Sequence, residues 1–242
     1  VTNYTFNANS QLTKMGEAPL TYNSTGSLTS KNVPGGTQSF VYDNEERLTN
    51  FTPSSGSSLK FGYDGLGNRL YKTVGSTTTR FVNDVSGALT NVLAETNSSN
   101  TIQKYYLYGA GMVSQGGSSS SSRQYLITDA QGNVRFLTDF SGNKVRSYNY
   151  DPFGNLRATA GTQDGIYRFS GEQNDTESAL YFLRARYYDP DSGRFISRDP
   201  VKGLINDPRS QNPYAYALNN RINFSDPSGE KVLLYLWEMY GP

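Results

Sequence analysis

The 242-residue sequence contains no histidine and no cysteine. Their absence excludes a Ser-His-Asp or Cys-His nucleophile system, an imidazole base, a zinc finger and a disulfide framework. Any chemistry must rest on carboxylates, hydroxyls, Lys or Arg, and neither a cofactor nor a metal is expected. An excess of one charge is also lacking, because 22 basic residues offset 21 acidic ones. With no basic block, a dedicated nucleic-acid binder is not expected. No run of 18 apolar residues exists, so no membrane span is expected. The start shows no signal-peptide pattern, and Val1 in place of Met leads us to expect a piece of a longer or processed chain. Apolar residues make up only 35%, close to a disordered composition, yet 19 Tyr and 12 Phe supply aromatic area that disordered chains lack. The expectation is an ordered, Tyr-rich, polar all-β protein of one or two domains.

What the chain does contain is a short repeat: an aromatic, then Asp or Asn, then Leu-Thr after four residues. Phe6-Asn7 leads to Leu12-Thr13, Tyr22-Asn23 to Leu28-Thr29, and Tyr42-Asp43 to Leu48-Thr49. Looser copies run from Tyr63-Asp64 to Leu70 and from Tyr150-Asp151 to Leu156. The Asx side chain can bond amides two residues on, and Gly26, Gly67 and Gly154 can supply positive φ inside the turn. The flanks Tyr125–Thr128 and Val134–Thr138 read as one hairpin around a related turn. Gln115-Gly116-Gly117 and the serine run 118–122 have no side chains to fill a core, so a flexible loop is expected there. Gly109-Ala110-Gly111 lacks the strand, helix and Lys of a phosphate loop.

After Gly165 the composition changes. Four Asp-Pro pairs, at 189–190, 199–200, 207–208 and 226–227, make rigid corners. Alternation over 181–188 predicts one strand, with Tyr181, Leu183, Ala185 and Tyr187 on one face. Residues 213–219 read as a short helix capped by Asn212. The apolar tail, residues 232–240, holds the only Trp and reads as a helix or strand packed on the core.

The run Leu183-Arg-Ala-Arg-Tyr-Tyr-Asp-Pro-x-x-Gly-Arg-Phe-Ile-Ser-x-Asp-Pro200, followed by Asn212-x-Tyr-x-Tyr and Asp226-Pro-Ser-Gly229, resembles the RHS-repeat-associated core. That core closes the YD-repeat arrays of bacterial Rhs proteins, Tc-toxin C subunits and wall-associated proteins, and the upstream units resemble YD repeats. The resemblance covers residues 1–229. It implies an antiparallel β-hairpin ribbon that spirals into part of a shell and ends in an inward-curled core plug. On that basis residues 1–165 are expected to form the ribbon, 166–229 the core, and 230–242 an apolar tail. The implied role is structural: enclosing a C-terminal segment in a secreted or surface-displayed, toxin-like protein. Its expected partners are its own C-terminal segment, missing upstream YD repeats, or another copy through open sheet edges.

The resemblance also implies a second reading, an aspartic-type self-cleaving core. Carboxylate hydrolysis needs one ionised and one protonated acid held close together. Arg198 and Asp199 form the first candidate pair, Asp207 is the second acid by position, and Asp226 is a weaker candidate. The motif before the cut is Asp226-Pro227-Ser228-Gly229-Glu230. An Asp before Pro is more often a turn-maker, so the structural role is favoured throughout. Glu230 stands where cutting relatives carry Leu, and Arg221 where they carry Pro, which also favours an uncut core. A third reading, adhesion through Tyr stacked on sugars, is weaker, because Tyr recurs with the repeat and is expected to pack between hairpins. Matches to the Asn-glycosylation sequon carry no function in so Asn- and Ser-rich a chain.

Overall fold

At eight places an Asx side chain closes the same turn. The Oδ1 atoms of Asn7, Asn23, Asp43, Asp64, Asn97, Asp129, Asp139 and Asp151 each accept the amide four residues on, at 2.7–3.0 Å. The backbone closes the same ring, with N–H of residue i donating to the carbonyl of i+4 and N–H of i+3 donating to that of i. Residue i+3 must then take positive φ, and does so as Ser10, Gly26, Glu46, Gly67, Asn100, Gly132, Gly142 and Gly154. At three of these hairpins the ladder bulges at the aromatic, which faces the repeat's Leu directly: Phe6 opposite Leu12, Tyr22 opposite Leu28, Tyr42 opposite Leu48. The repeat is therefore a hairpin with its bulge and turn encoded in place.

The computed structural model describes residues 2–109, 111–117, 119–230 and 232–234. Its strands are β1 (Tyr4–Phe6), β2 (Leu12–Met15), β3 (Ala18–Tyr22), β4 (Leu28–Val33), β5 (Gly36–Tyr42), β6 (Leu48–Thr52), β7 (Leu59–Tyr63) and β8 (Arg69–Val74). They continue as β9 (Thr77–Asp84), β10 (Asn91–Thr96), β11 (Ile102–Tyr108), β12 (Met112–Gly116), β13 (Arg123–Thr128), β14 (Val134–Thr138), β15 (Lys144–Tyr150) and β16 (Leu156–Gly161). These 16 form one antiparallel sheet in chain order. Shorter strands follow: β17 (Gln173–Asp175), β18 (Leu180–Leu183), β19 (Arg186–Asp189), β20 (Arg194–Phe195), β21 (Phe224–Ser225) and β22 (Leu233–Leu234). The all-β, antiparallel ribbon expected from the sequence is what the chain builds.

Two compact units divide the chain: Val1–Phe61 with Glu177–Pro242, and Gly62–Thr176. In the first, Leu12, Leu28, Leu48, Phe51 and Leu59 are buried. Leu28 N–H donates to the Ile196 carbonyl at 2.8 Å, and the Phe61 and Tyr187 rings lie 5.4 Å apart. Tyr188 packs against Tyr216 at 4.6 Å, with Phe195 beside both. Aromatic stacking thus replaces the aliphatic area this composition lacks.

The second unit has its own core of Phe81, Val92, Tyr106, Leu126, Val134, Leu137, Tyr148 and Tyr167. Arg69 takes an inward position, 3% exposed, and Leu70 turns outward. The looser repeat copy therefore runs one residue out of step with the expected Leu70. The buried guanidinium is held by Asp175 at 2.6 Å and by Gln173. Tyr148 donates its hydroxyl to Asp164 at 2.6 Å, and Arg168 pairs with the same carboxylate at 3.0 Å. Burial pushes the Asp164 carboxyl up, but the Tyr148 hydroxyl and the charges of Arg168 and Arg146 outweigh it and hold the group below its ordinary range. Its contribution to stability is thus present above the unfolded value, about 3.9, and is lost as pH falls through the depressed folded value. Acid unfolding of Asp164→Asn, followed by circular dichroism, should show a shallower loss of stability below that pH than the parent chain.

Three local expectations change. Residues 181–188 form two strands, not one, with Tyr181 opposite Tyr188 and Leu183 opposite Arg186. The corner lies at Arg184, with φ of 57°, so Tyr181, Leu183, Arg186 and Tyr188 share a face. Every residue of both strands is buried, which removes the polar–apolar contrast that a period-two reading needs. Residues 213–219 do not form a helix. Phe195 N–H donates to the Tyr214 carbonyl and Ala215 bridges to Arg194, which holds the chain extended there. Asn212 does cap, accepting the Tyr214 amide at 3.1 Å, but the short 3-10 turns lie at Pro208–Gln211 and Ala217–Asn219. Gln115 and Gly116, expected in a loop, instead end β12, paired on both sides with Gln115 1% exposed, and Ser120–Ser122 form one turn of 3-10 helix. Of the tail, Leu233–Leu234 pair with Phe224–Ser225, and Tyr235–Pro242, including Trp237, lies outside the described residues.

Candidate functional site

The corner between β18 and β19 grips the segment 227–229. Ala185 N–H donates to the Ser228 carbonyl at 3.2 Å, and Arg184 Nη1 to the Pro227 carbonyl at 2.5 Å. Arg186 donates from Nε to the Gly229 carbonyl and from Nη1 to the Pro213 carbonyl at 3.0 Å. Three consecutive residues therefore hold three consecutive carbonyls. Gly229 has φ of +72°, and a Cβ there would overlap the Leu183 carbonyl oxygen, so the motif's glycine is sterically required.

The third face of the Arg186 guanidinium carries two acids. Nη2 lies 2.7 Å from Asp199 Oδ2 and 3.4 Å from Asp226 Oδ2. Both Arg186 and Asp226 are almost wholly buried, and Asp199 is one-fifth exposed. Phe195 covers the guanidinium, its ring centroid 3.7 Å from Cζ. Burial pushes the Asp199 carboxyl above its ordinary range, and the Arg186 charge opposes that shift. For Arg186, burial outweighs the neighbouring carboxylates and brings the group below its ordinary value.

The structure brings Asp199 together with Asp226, while Asp207 stands elsewhere. Asp207 caps the turn Pro208–Gln211, accepting the Arg209 amide at 3.1 Å and pairing with the exposed Arg209 side chain. Arg198 is exposed, stands beside Gly26 and Tyr214, and makes no ion pair with Asp199 or Asp226 among the described residues. Glu230 is exposed, its amide donating to Ser228 Oγ at 3.1 Å. Arg186 lies within the core motif but is not among the candidate residues the sequence points to. Of its partners, Pro213, Asp226 and Gly229 lie 27, 40 and 43 residues away, and no local spacing announces them.

A second buried ion pair joins ribbon and core within the same unit. Lys31, on β4, meets Asp189 at 2.8 Å and the exposed Asp191 at 3.3 Å. Burial works against the Lys31 charge, but the two carboxylates outweigh it and raise the amine above its ordinary value. Among the described residues no group of His, Cys, Asp or Glu side chains is placed to hold a metal ion, and no helix is long and apolar enough to cross a membrane. Chemically, the Arg186 corner neutralises two acids, polarises the Gly229 carbonyl and fixes the path of residues 226–229.

The fold has counterparts among known proteins. The chain is 36% identical over 238 residues to the tRNA nuclease WapA of Bacillus subtilis (strain 168), matching 96% of this chain and 10% of the relative. A crystal structure of TcdB2-TccC3-Cdc42 matches all of the chain and 16% of its own, with a TM-score of 0.61 at 16% identity. The Photorhabdus luminescens Tc holotoxin pore matches 94% of the chain and 13% of its own, with a TM-score of 0.65, also at 16% identity. At that identity the solved structures bear on the fold alone, and the chain spans only a small part of each relative's length. The family model described as Teneurin YD-shell matches residues 1–224. That match, over nearly the whole chain, places it in the teneurin YD-shell family.

Proposed function

We infer that the chain is the closing part of a β-shell that holds a C-terminal segment inside a secreted or surface-displayed, toxin-like protein. The observation that carries this reading is the grip of Arg184, Ala185 and Arg186 on the Pro227, Ser228 and Gly229 carbonyls. It fixes where the polypeptide leaves the core, which is what a shell must do to direct the following residues. Residues 1–165 then serve as ribbon and 166–229 as the closing core, with upstream repeats as the natural partner of the β1 edge. Limited proteolysis of a longer chain that includes upstream repeats and a C-terminal extension tests this. The extension should survive protease concentrations that digest it as an isolated peptide. Equal rates of digestion would overturn the reading.

Self-cleavage is the second reading, and one observation favours it. The Arg186 Nε–H donates to the Gly229 carbonyl, a donor placed to stabilise an oxyanion at that carbon. Against it, both nearby acids are tied to the same guanidinium, which leaves neither free as a base. Intact mass of the longer chain separates the readings. The shell reading predicts one species; a fragment ending at Gly229 or Glu230, absent in Asp199→Asn, would establish cleavage.

A further inference from the structure

A cleft of about 270 Å³ opens in the first unit, between the β1–β2 and β3–β4 turns and the core block. Its floor is rigid. Tyr214, 2% exposed, donates its hydroxyl to the Gly26 carbonyl at 2.8 Å and accepts from Gln11 Nε2 at 3.3 Å. Gly26 has φ of +100°, and a Cβ there would stand 2.7 Å from the Tyr214 hydroxyl and 3.3 Å from Arg198 Cβ, so no larger residue fits.

At the wall stands Arg198, exposed, with no ion pair or hydrogen bond among the described residues. Its neighbours in the core motif, Arg184, Arg186 and Arg194, each hold a carbonyl or carboxylate. None of the residues lining the cleft is acidic, although the chain carries 21 acidic residues. Asn9, Ser10 and Ser24 add amide and hydroxyl groups to the rim. One cation ringed by neutral polar groups selects a ligand with one anionic group and several hydroxyls, since those rim groups favour a ligand that can hydrogen-bond to them. The planar guanidinium matches a carboxylate in bidentate fashion. The volume falls below the range of about 300–1,000 Å³ that drug-sized ligands occupy, which suits a single ring.

We propose that this cleft binds a small hydroxylated carboxylate of the uronic-acid class, its carboxylate on Arg198 and its hydroxyls on Asn9, Ser10 and Ser24. The proposal does not rest on the shell reading. Titration of the 242-residue chain with glucuronate, followed by calorimetry or amide chemical shifts, tests it against glucose and inorganic sulfate. The expected result is saturable millimolar binding of glucuronate, with glucose and sulfate each weaker by about tenfold or more. Arg198→Gln should abolish binding. Asn9→Asp, at an exposed turn position, should weaken it by about tenfold through like-charge repulsion, with an unchanged circular dichroism spectrum. No saturable glucuronate binding would overturn the proposal, as would sulfate binding equally well or affinity undiminished in Asn9→Asp.

Discussion

Arg186→Met is expected to destabilise the first unit by about 3–5 kcal/mol, the range for breaking a buried ion pair from one side. The substitution keeps volume but removes the donors to the Gly229 and Pro213 carbonyls and the partner of two carboxylates. Asp226 is 1% exposed and would be left as a buried, uncompensated charge, which is the costliest consequence. Adding Asp226→Asn to Arg186→Met should therefore recover part of the loss. Arg186→Lys should not restore the parent stability, because an ammonium cannot reach the two carbonyls and two carboxylates that the planar fork holds at once. Urea unfolding followed by far-ultraviolet circular dichroism measures all three. An Arg186→Met variant within about 0.5 kcal/mol of the parent, the range of ordinary surface substitutions, would show that the corner is not held by this guanidinium.

Lys31→Met should have the next largest effect, also about 3–5 kcal/mol, since it strands Asp189, which is 3% exposed. The exposed Asp191 can turn to water and adds little to the cost. Replacing both partners, Lys31→Met with Asp189→Leu, should bring stability back to within about 1 kcal/mol of the parent or above it. Asp189 Oδ1 also accepts the Asp191 amide at 3.1 Å, so the double variant tests whether that turn bond or the ion pair dominates. The Lys31 amine is raised in the folded chain. Its stabilisation should be complete below the unfolded value of about 10.4 and fade only as pH rises through the folded one. The difference between parent and Lys31→Met should accordingly stay level from neutral pH to about pH 9.

The ribbon was legible because its information is local. An aromatic, an Asx and a Leu within seven residues specify turn, bulge and cross-strand pair together, so Tyr22, Asn23, Gly26 and Leu28 could be assigned from spacing alone. Where local rules weakened, the reading slipped. Residues 181–188 are buried on both faces and give no alternation to break, so the corner at Arg184 left no mark in the sequence. The extended path of Tyr214 and Ala215 is set by pairing with β20, which overrides the helix signal of Asn212-Pro213. For the site, Asp199 was found from its Asp-Pro corner and Asp226 from its motif, but their shared partner was not. Arg186 joins segments far apart in sequence, as Lys31 joins β4 to Asp189. Contacts of that kind are fixed by how the core packs on the ribbon, and a single sequence records them only as scattered charges.

The grip on residues 227–229 is tested most directly at one amide. Ala185 N–H donates to the Ser228 carbonyl at 3.2 Å across the corner, and it has no protection unless that segment is docked. Native-state hydrogen exchange resolved by NMR should find the Ala185 amide protected to a degree comparable with the β18 and β19 amides beside it, and unprotected in Arg186→Met. Rapid exchange at Ala185 in the parent chain, with β18 and β19 still protected, would show that the segment is not held and would contradict the account.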